Sequence, residues 1–350
     1  MLQIGADRSK RGILFPGSAA SRRQQAYART LGTLDSIGFS RVSDGATEYS
    51  VDGFHVRPTN SMHPLLYGFD ALRVARTLPK PDVVSAQDTF ETGLVALIIA
   101  RKFGVPLHVQ VHTDFLSPEY ARLSMMNQVR VWMAGFVLRR ASRIRVVSER
   151  IRDGIVSRYG ITSTVSVLPI FVPAPKYVLL ESDFETTLLW IGRLEKEKNP
   201  ALAIRALAAV REAGHTAVGL RIVGAGSEEA TLWALREELG LVDWVQFYPE
   251  TTDMSPHFSI ADLVLVTSVY EGYGMAIMEA RRMGKPVLST DVGIAKQVGA
   301  IIAKPEEFAD ALGRWLDTRP PTPPLRDYPY DDFDGFVRAY CDDIVACVAQ

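Results

Sequence analysis

One stretch of nine residues decides how this chain is interpreted: Glu271-Gly272-Tyr273-Gly274-Met275-Ala276-Ile277-Met278-Glu279. It follows the apolar run 261–266, which predicts a buried strand, and its second half has helical propensity. Gly272 and Gly274 lie between the predicted strand and the predicted helix and indicate a tight turn there. Free N–H groups at a helix start favour an anion, and Glu279, inside the helix, can accept hydrogen bonds from hydroxyls. The pattern predicts a site for a phosphorylated, hydroxyl-rich ligand at the carboxyl end of a strand.

A second strand-to-helix junction supplies positive charge. Residues 187–191 predict a strand, and the chain then reads Gly192-Arg193-Leu194-Glu195-Lys196-Glu197-Lys198-Asn199-Pro200 before a predicted helix. A guanidinium offers phosphate a planar fork, and an ammonium offers a compact charge. Arg193 and Lys198 are therefore candidates to grip a diphosphate. The alternative for both junctions is solvated surface charge, with Glu271 in a loop and Glu279 on an exposed helix face.

Together these segments resemble the family-four retaining glycosyltransferases. Five segments stand in the family's order: Gly192-Arg193-Leu194 with Lys198, Val223-Gly224-Ala225-Gly226, Ala261-Asp262-Leu263, Glu271-Gly272-Tyr273-Gly274 with Glu279-Ala280, and Gly284-Lys285-Pro286-Val287. The resemblance is close over residues 186–316 and looser before them. It implies an α/β chain of GT-B architecture, in which two Rossmann-like domains face a cleft and the second domain holds most of a nucleotide sugar.

The predicted domain organisation follows from this architecture. Strands and helices alternate along the chain, as in parallel βαβ units, and 350 residues suffice for two domains. The expected parts are an acceptor-side domain at 1–172, a donor domain at 173–330 and a C-terminal helix at 331–350 that packs on the first domain. A proline-rich run at 165–175 predicts the linker. A single long helix is predicted to end at Arg140.

The resemblance implies a role for each residue of the predicted donor site. Arg193 and Lys198 stabilise the departing nucleoside diphosphate, Glu271 orients the sugar hydroxyls, and Glu279 binds the ribose. The full donor-binding set is Arg193, Lys198, Gly224, Glu271, Gly272, Tyr273, Gly274, Met275, Ala276 and Glu279. The expected donor is a UDP- or GDP-sugar, with no further cofactor and no metal, because cationic side chains replace magnesium and no convincing aspartate cluster occurs. Retention of configuration is implied by the family alone.

The first half contributes one candidate catalytic residue and one weaker loop. A predicted strand at 107–111 ends in His112, at the kind of position where open α/β sheets bind ligands. By the resemblance, His112 hydrogen-bonds the donor sugar and stabilises positive charge near the anomeric carbon. Asp114 is predicted as a helix N-cap, with an acceptor-side base as the alternative. Gly17 and Ser18 are weaker candidates for phosphate or acceptor contact, because the family's usual double glycine is absent.

Charge is distributed unevenly between the two halves of the chain. Residues 1–175 carry 22 Lys and Arg against 13 Asp and Glu, whereas residues 176–350 carry 17 against 27. The segment 125–143 is the densest basic part and also contains Trp132 and Phe136. It predicts either an amphipathic helix on an anionic membrane or a core helix with solvated arginines. The core helix is preferred, since its large apolar side chains need burial.

The expected setting follows from these patterns. The chain is predicted to be cytoplasmic, with peripheral contact to an anionic membrane through its first domain, a glycan or lipid-linked acceptor, and no nucleic-acid partner. No apolar run reaches eighteen residues, and the start predicts a strand rather than a signal peptide. Cys341 and Cys347 lie in one predicted helix and are expected to be buried thiols, without a disulfide or zinc site.

Alternative functions remain open. A GT-B nucleotide-sugar epimerase would share the fold and leaving group, but it needs paired carboxylates around the sugar, which the first half does not clearly offer. A non-catalytic nucleotide-sugar-binding protein would keep the pocket, although the presence of Lys198, Glu271 and His112 favours activity. A dinucleotide-dependent oxidoreductase is disfavoured, because Gly224-Ala225-Gly226-Ser227-Glu228-Glu229 ends in glutamate where the fingerprint requires glycine.

Overall fold

A computed structural model describes residues 1–6, 12–173, 176–178, 181–251, 253–325 and 328–349. The chain divides into two compact units: unit 1 is Met1–Phe171 with Tyr330–Gln350, and unit 2 is Val172–Pro329. Ala174 and Pro175 of the predicted linker lie outside the described residues.

Unit 1 is built on an eight-stranded sheet of order β3-β4-β2-β1-β5-β6-β7-β8, parallel except for β3. The strands are β1 (Leu2–Gly5), β2 (Leu34–Gly38), β3 (Tyr49–Val51), β4 (Phe54–Pro58), β5 (Val84–Ala86), β6 (Leu107–Val111), β7 (Arg143–Val146) and β8 (Thr164–Val167). The hairpin of β3 and β4 was not predicted. Its turn is Asp52-Gly53, and both residues have positive φ, as a two-residue type I′ turn requires.

Six helices of unit 1 connect these strands: α1 (Ala19–Leu31), α2 (Tyr67–Ala75), α3 (Glu91–Phe103), α4 (Pro118–Arg122), α5 (Met125–Leu138) and α6 (Glu149–Tyr159). The predicted single long helix before Arg140 is wrong, since it is divided into α4 and α5. The reason is a new helix start at Ser124, whose hydroxyl accepts a hydrogen bond from the Asn127 amide.

Unit 2 contains a six-stranded, fully parallel sheet of order β11-β10-β9-β12-β13-β14. Its elements are β9 (Thr186–Ile191), α7 (Pro200–Glu212), β10 (Val218–Val223), α8 (Glu229–Glu238), β11 (Val245–Tyr248), α9 (Ser255–Ile260), β12 (Leu263–Val266), α10 (Met275–Arg282), β13 (Val287–Ser289), β14 (Ile301–Ile302) and α11 (Phe308–Thr318). Along the chain, β9, β10 and β11 are added towards one edge of the sheet, and β12, β13 and β14 towards the other edge. The strand order therefore reverses between β9 and β12, and in open α/β sheets ligands bind at that point.

The core of unit 2 explains why its central strands read as continuous apolar runs. Residues 186–190 of β9 are all buried, because helices cover both faces of the sheet. Trp190 packs there with Leu207 of α7 and with Phe308 and Leu312 of α11. This rigid core holds the carboxyl ends of β9 and β12 in place.

The last helix, α12 (Phe333–Val348), belongs to unit 1. Asp332 caps its start by accepting a hydrogen bond from the Gly335 amide. Tyr340 stacks on Tyr27 of α1, with ring centroids 4.1 Å apart. Cys341 and Cys347 are free thiols, buried on this helix as expected. Within the described residues, no helix is long and apolar enough to cross a membrane.

Candidate active site

The loops after β9 and β12 meet at the switch point of the unit 2 sheet. The Val269 amide donates to the Glu197 carbonyl over 2.8 Å, which joins the two loops directly. The Thr267 hydroxyl lies 3.0 Å from the Lys198 carbonyl and 2.8 Å from that of Asn199. It also accepts the indole N–H of buried Trp190 over 2.9 Å. These contacts fix the backbone that carries Lys198.

Lys198 and Glu271 form an ion pair across this junction. The Ser268 hydroxyl donates to the same carboxylate oxygen, Glu271 Oε1, over 2.8 Å. Both charged side chains are mostly buried, so their mutual attraction is stronger than that of a surface pair. The sequence identified both charges but missed Thr267 and Ser268. Their position directly after β12 was the signal, because polar residues at strand carboxyl ends face the crevice.

Arg193 lies on the same loop as Lys198 but is oriented differently. Its guanidinium pairs with Glu197 over 2.8 Å, and 65% of its side chain is exposed. No direct contact joins the two cations in the described part of the chain. A ligand that engages Arg193 must therefore compete with Glu197 for the guanidinium.

A third loop, after β10, packs closely against the first. A Cβ on Gly224 would overlap the carbonyl oxygen of Gly192, and one on Gly226 would overlap that of Leu194. The amide of Leu194 also donates to the Ala225 carbonyl over 2.9 Å. Glycine is required here for close backbone approach. The carboxyl ends of β10, β9 and β12 are thereby joined into one loop cluster.

The start of α10 fits an anion. Gly274, at the N-cap, has a φ of 92°, in the left-handed region, and no side chain caps the helix. The first turn contains no acidic residue, so the positive end of the helix dipole is not neutralised locally. Gly272, Tyr273 and Gly274 are buried, whereas Met275 is partly exposed. The predicted turn thus places the amides of Met275 and Ala276 at a helix start.

Glu279 lines a cavity of about 360 Å³ within unit 2. The cavity is bounded by Val172, Pro173, Lys176, Asp253, Met254, Ser255, Phe258, Glu279, Arg282 and Met283. Burial raises the pKa of Glu279 to about 7. No hydrogen bond or ion pair to its carboxylate occurs among the described residues, so the group is desolvated without a protein partner. Such a carboxylate is suited to accept hydrogen bonds from ligand hydroxyls.

The first-half candidates lie in unit 1. His112 directly follows β6, keeps an exposed surface, and lies with Nε2 3.3 Å from Gln110 Oε1. Desolvation by surrounding protein atoms, together with the charges of Arg145 and Arg23, lowers the pKa of His112 to about 3. A pKa lowered from the ordinary value of histidine leaves the imidazole neutral at pH 7.

Two other first-half residues serve local structure. Ser18 is the N-cap of α1: its hydroxyl accepts from the Ser21 amide and donates to the Gly12 carbonyl over 2.9 Å. Gly17 precedes it with a φ of 78°. The prediction that Asp114 is a helix N-cap is wrong, since Ser117 holds that position before α4. Asp114 instead accepts the amides of Leu116 and Ser117 within the preceding turn.

The basic helix predicted in the first half exposes its apolar side chains. Met125 is 83% exposed and Trp132 72%, and Met126 and Val129 lie on the same stretch of α5. The preference for a core helix is therefore wrong for this half of α5, although Leu138, at its other end, is fully buried. The C-terminal part of α5 is the part that is buried, and there the helix packs against α3 and α6.

The arginines of this segment differ in their surroundings. Arg130 pairs with Glu91 over 2.9 Å, and Arg143 is mostly buried against Asp343. Arg139 and Arg140 are exposed, and the Arg140 guanidinium lies 3.8 Å from the centroid of the Phe136 ring, which stacks on Trp132 with centroids 6.2 Å apart. One exposed arginine therefore adjoins the exposed apolar side chains of α5 through Phe136.

The fold and the site are those of a nucleotide-binding α/β protein. They combine a parallel sheet, a switch point in its strand order, a glycine turn and a helix start that suits an anion. Two family models match the chain, "Glycosyl transferases group 1" over residues 185–318 and "Glycosyl transferase 4-like domain" over residues 21–170. The chain thus belongs to the family-four glycosyltransferases of GT-B fold. Among the described residues, no group of three His, Cys, Asp or Glu could hold a metal ion.

Curated relatives and solved structures agree with this family. The chain is 26% identical over 256 residues to 2-deoxystreptamine glucosyltransferase of Streptomyces kanamyceticus, covering 65% of this chain and 66% of that one. It is 26% identical over 267 residues to D-inositol 3-phosphate glycosyltransferase of Nocardiopsis dassonvillei, covering 64% and 60%. These alignments span somewhat less than two thirds of the relatives' length.

Two solved structures show the same fold over the whole chain. HepE of Anabaena in complex with UDP superimposes with a TM-score of 0.67 at 18% identity, covering 100% of this chain and 97% of that one. Sucrose-phosphate synthase of Thermosynechococcus elongatus gives a TM-score of 0.70 at 16% identity, covering 100% and 94%. At these identities the likeness concerns the fold.

Proposed function

We propose that this chain transfers a glycosyl group from a nucleoside diphosphate sugar to an acceptor hydroxyl, with retention of configuration and without a metal ion. The observation that carries the proposal is the Lys198–Glu271–Ser268 cluster at the switch point of unit 2, followed by the uncapped start of α10. Support also comes from the family and from the UDP bound to HepE. The cation and the free amides suit the diphosphate of such a donor. The carboxylates suit the hydroxyls of its two sugars, the ribose and the sugar to be transferred.

Each residue then has a distinct task. Lys198 and the amides of Met275 and Ala276 stabilise the negative charge that develops on the departing diphosphate. Glu271 is held by Ser268 and Lys198 through Oε1 and presents its other oxygen to sugar hydroxyls. Glu279 accepts hydrogen bonds from the ribose. Arg193 contributes once its guanidinium leaves Glu197.

His112 is proposed to orient a hydroxyl of the donor sugar. As a neutral imidazole it has one nitrogen to donate and one to accept, so it can orient a sugar hydroxyl. Retention of configuration is supported by the family resemblance. Metal independence is supported by the presence of Lys198 and the α10 amides where phosphate charge would develop.

Thermal stabilisation by nucleotide sugars tests the donor class. We expect one of the UDP-, GDP- or ADP-sugars to raise the melting temperature by several degrees, because ligand at about a hundred times its Kd adds about 2.7 kcal/mol to stability. The shift should persist in EDTA if no metal is needed. NAD serves as the control ligand. A shift with NAD alone, or with none of these ligands, would overturn the proposed function.

The acceptor is proposed to be a glycan or a lipid-linked sugar at the cytoplasmic face of a membrane. The excess of basic residues in the first half and the exposed apolar stripe Met125, Met126, Val129 and Trp132 support this proposal. Exposed large apolar side chains on one face of a helix are costly in water and favourable at a lipid interface.

Vesicle flotation tests the membrane contact. We expect the protein to float with phosphatidylglycerol vesicles, and Trp132→Ser with Met126→Ser to reduce the floating fraction several-fold. Charge reversal at Arg139 and Arg140 should also weaken binding, because the Arg140 guanidinium stacks on Phe136 and Phe136 stacks on Trp132. Val345→Ser, at an exposed apolar position on α12, is the matched control. Equal flotation of wild type and the Trp132 variant would exclude this surface.

A further inference from the structure

The face of the unit 1 sheet that contacts α12 carries a row of buried polar side chains. Ser85 on β5, His108 on β6 and Arg143 on β7 are register partners, and Gln110 and Arg145 form the next pair on the same face. All except Arg143 are at least nine-tenths buried. Buried polar groups stabilise a fold only when their hydrogen bonds are made, so each side chain of this row needs a defined hydrogen-bond partner.

Chemistry decides the orientation of the Gln110 amide. Arg145 can only donate, and its Nη1 lies 2.9 Å from Gln110 Oε1. The amide nitrogen therefore faces the other way, where it donates to the Tyr340 hydroxyl over 3.1 Å and to Ser85 Oγ over 3.3 Å. Ser85 in turn bonds His108 Nδ1, and His108 Nε2 bonds Asp343 of α12. Two residues of α12 thus take part in the network that fixes Gln110.

The orientation of Gln110 determines the protonation of His112. Its oxygen, Oε1, is the atom 3.3 Å from His112 Nε2, so Nε2 must be the nitrogen that carries the proton. The charged and titratable groups that act on the ring are Arg145 on β7, Arg23 on α1 and His108 on β6. All three disfavour a second proton on the imidazole. The remaining nitrogen, Nδ1, keeps its lone pair.

We propose that Gln110, Arg145 and Tyr340 are positioning residues that hold His112 as a neutral imidazole protonated at Nε2, with Nδ1 available to accept a hydrogen bond from a hydroxyl of the donor sugar. The sugar contact rests on the proposed function, whereas the tautomer does not. The C-terminal helix therefore acts on His112 indirectly, through the Tyr340 hydroxyl, which accepts a hydrogen bond from Gln110.

Side-chain ¹⁵N NMR tests the tautomer independently of turnover. We expect His112, assigned by comparison with His112→Asn, to be neutral and protonated at Nε2 at pH 7. In Gln110→Glu, a carboxylate beside the ring should raise the pKa of His112 by about 1–3 units. In Gln110→Leu, the Nε2 proton loses its acceptor, so the proportion of the Nε2 tautomer should fall towards that of free histidine. A wild-type His112 protonated at Nδ1, or charged at pH 7, would overturn the proposal.

Kinetics test the consequence for catalysis. We expect the loss of kcat in Gln110→Glu to grow as pH falls towards the raised pKa of His112, with little change in KM, and to disappear as pH rises and His112 loses its proton. A merely structural defect would reduce activity equally at every pH. Tyr340→Phe should show a smaller loss of kcat. Tyr27→Phe is the control and should keep its kcat. The Tyr27 ring stacks on Tyr340, but among the described residues its hydroxyl makes no bond to Gln110. A flat pH dependence of the Gln110→Glu defect would contradict the positioning role. If wild type turns over no donor, the proposed function fails and the NMR measurement still decides the tautomer.

Discussion

Lys198→Ala is expected to lower kcat/KM for the donor sugar by about 10²–10³-fold, the usual cost of removing one strong donor from a developing oxyanion. Lys198 is the cation at the switch point, and the Thr267 contact to its carbonyl fixes its backbone. The fold should tolerate the change, because the side chain lies at the edge of the core and Glu271 keeps its bond from Ser268. Steady-state kinetics together with a melting curve measure both effects.

Lys196→Ala is the matched control, since Lys196 is an exposed lysine in the same turn. It should retain nearly full activity. Combining Lys198→Ala with Glu271→Gln should cost less than the product of the two single effects, because the residues form one ion pair. A Lys198→Ala variant with wild-type turnover would refute the role of this lysine in stabilising the leaving group.

Glu279→Gln is expected to weaken nucleotide-sugar binding at least tenfold and, at pH 8, to raise the melting temperature of the free protein. Burial raises the pKa of Glu279 to about 7, above the value of an unfolded chain. Between these two pKa values the unfolded state releases the proton while the folded state retains it, so stability falls as pH rises through that window. Glutamine cannot ionise and avoids this penalty, but it lacks the charge that attracts ribose hydroxyls.

The pH dependence separates this explanation from a general packing effect. The gain in melting temperature should be large at pH 8 and vanish near pH 4, where the carboxyl is protonated in both states. Glu212→Gln, at an exposed position in α7, is the control and should change neither quantity. A Glu279→Gln variant with unchanged donor affinity would show that this carboxylate does not bind the ligand.

Much of unit 2, and the terminal helix of unit 1, could be predicted from the sequence. The strand before Gly192, the helix after Gly274 and the terminal helix from Phe333 were anticipated closely, because apolar periodicity and glycine turns act over a few residues. The division at Ser124 and the Asp52-Gly53 hairpin were missed, although both have local signals. A capping serine and an Asp-Gly pair are easily overlooked inside a longer pattern that favours a single element.

What the sequence alone determined is the set of strand-turn-helix units and the chemical groups at their ends. Lys198 and Glu271 could be assigned to loops because each follows a strand, but their pairing joins residues 73 positions apart. The tertiary structure likewise decides that Trp132 is exposed, that Arg143 is buried against Asp343, and that the Tyr340 hydroxyl accepts a hydrogen bond from Gln110. Local propensity is a property of neighbouring residues, whereas burial and partner choice depend on which distant segments the sheet brings together.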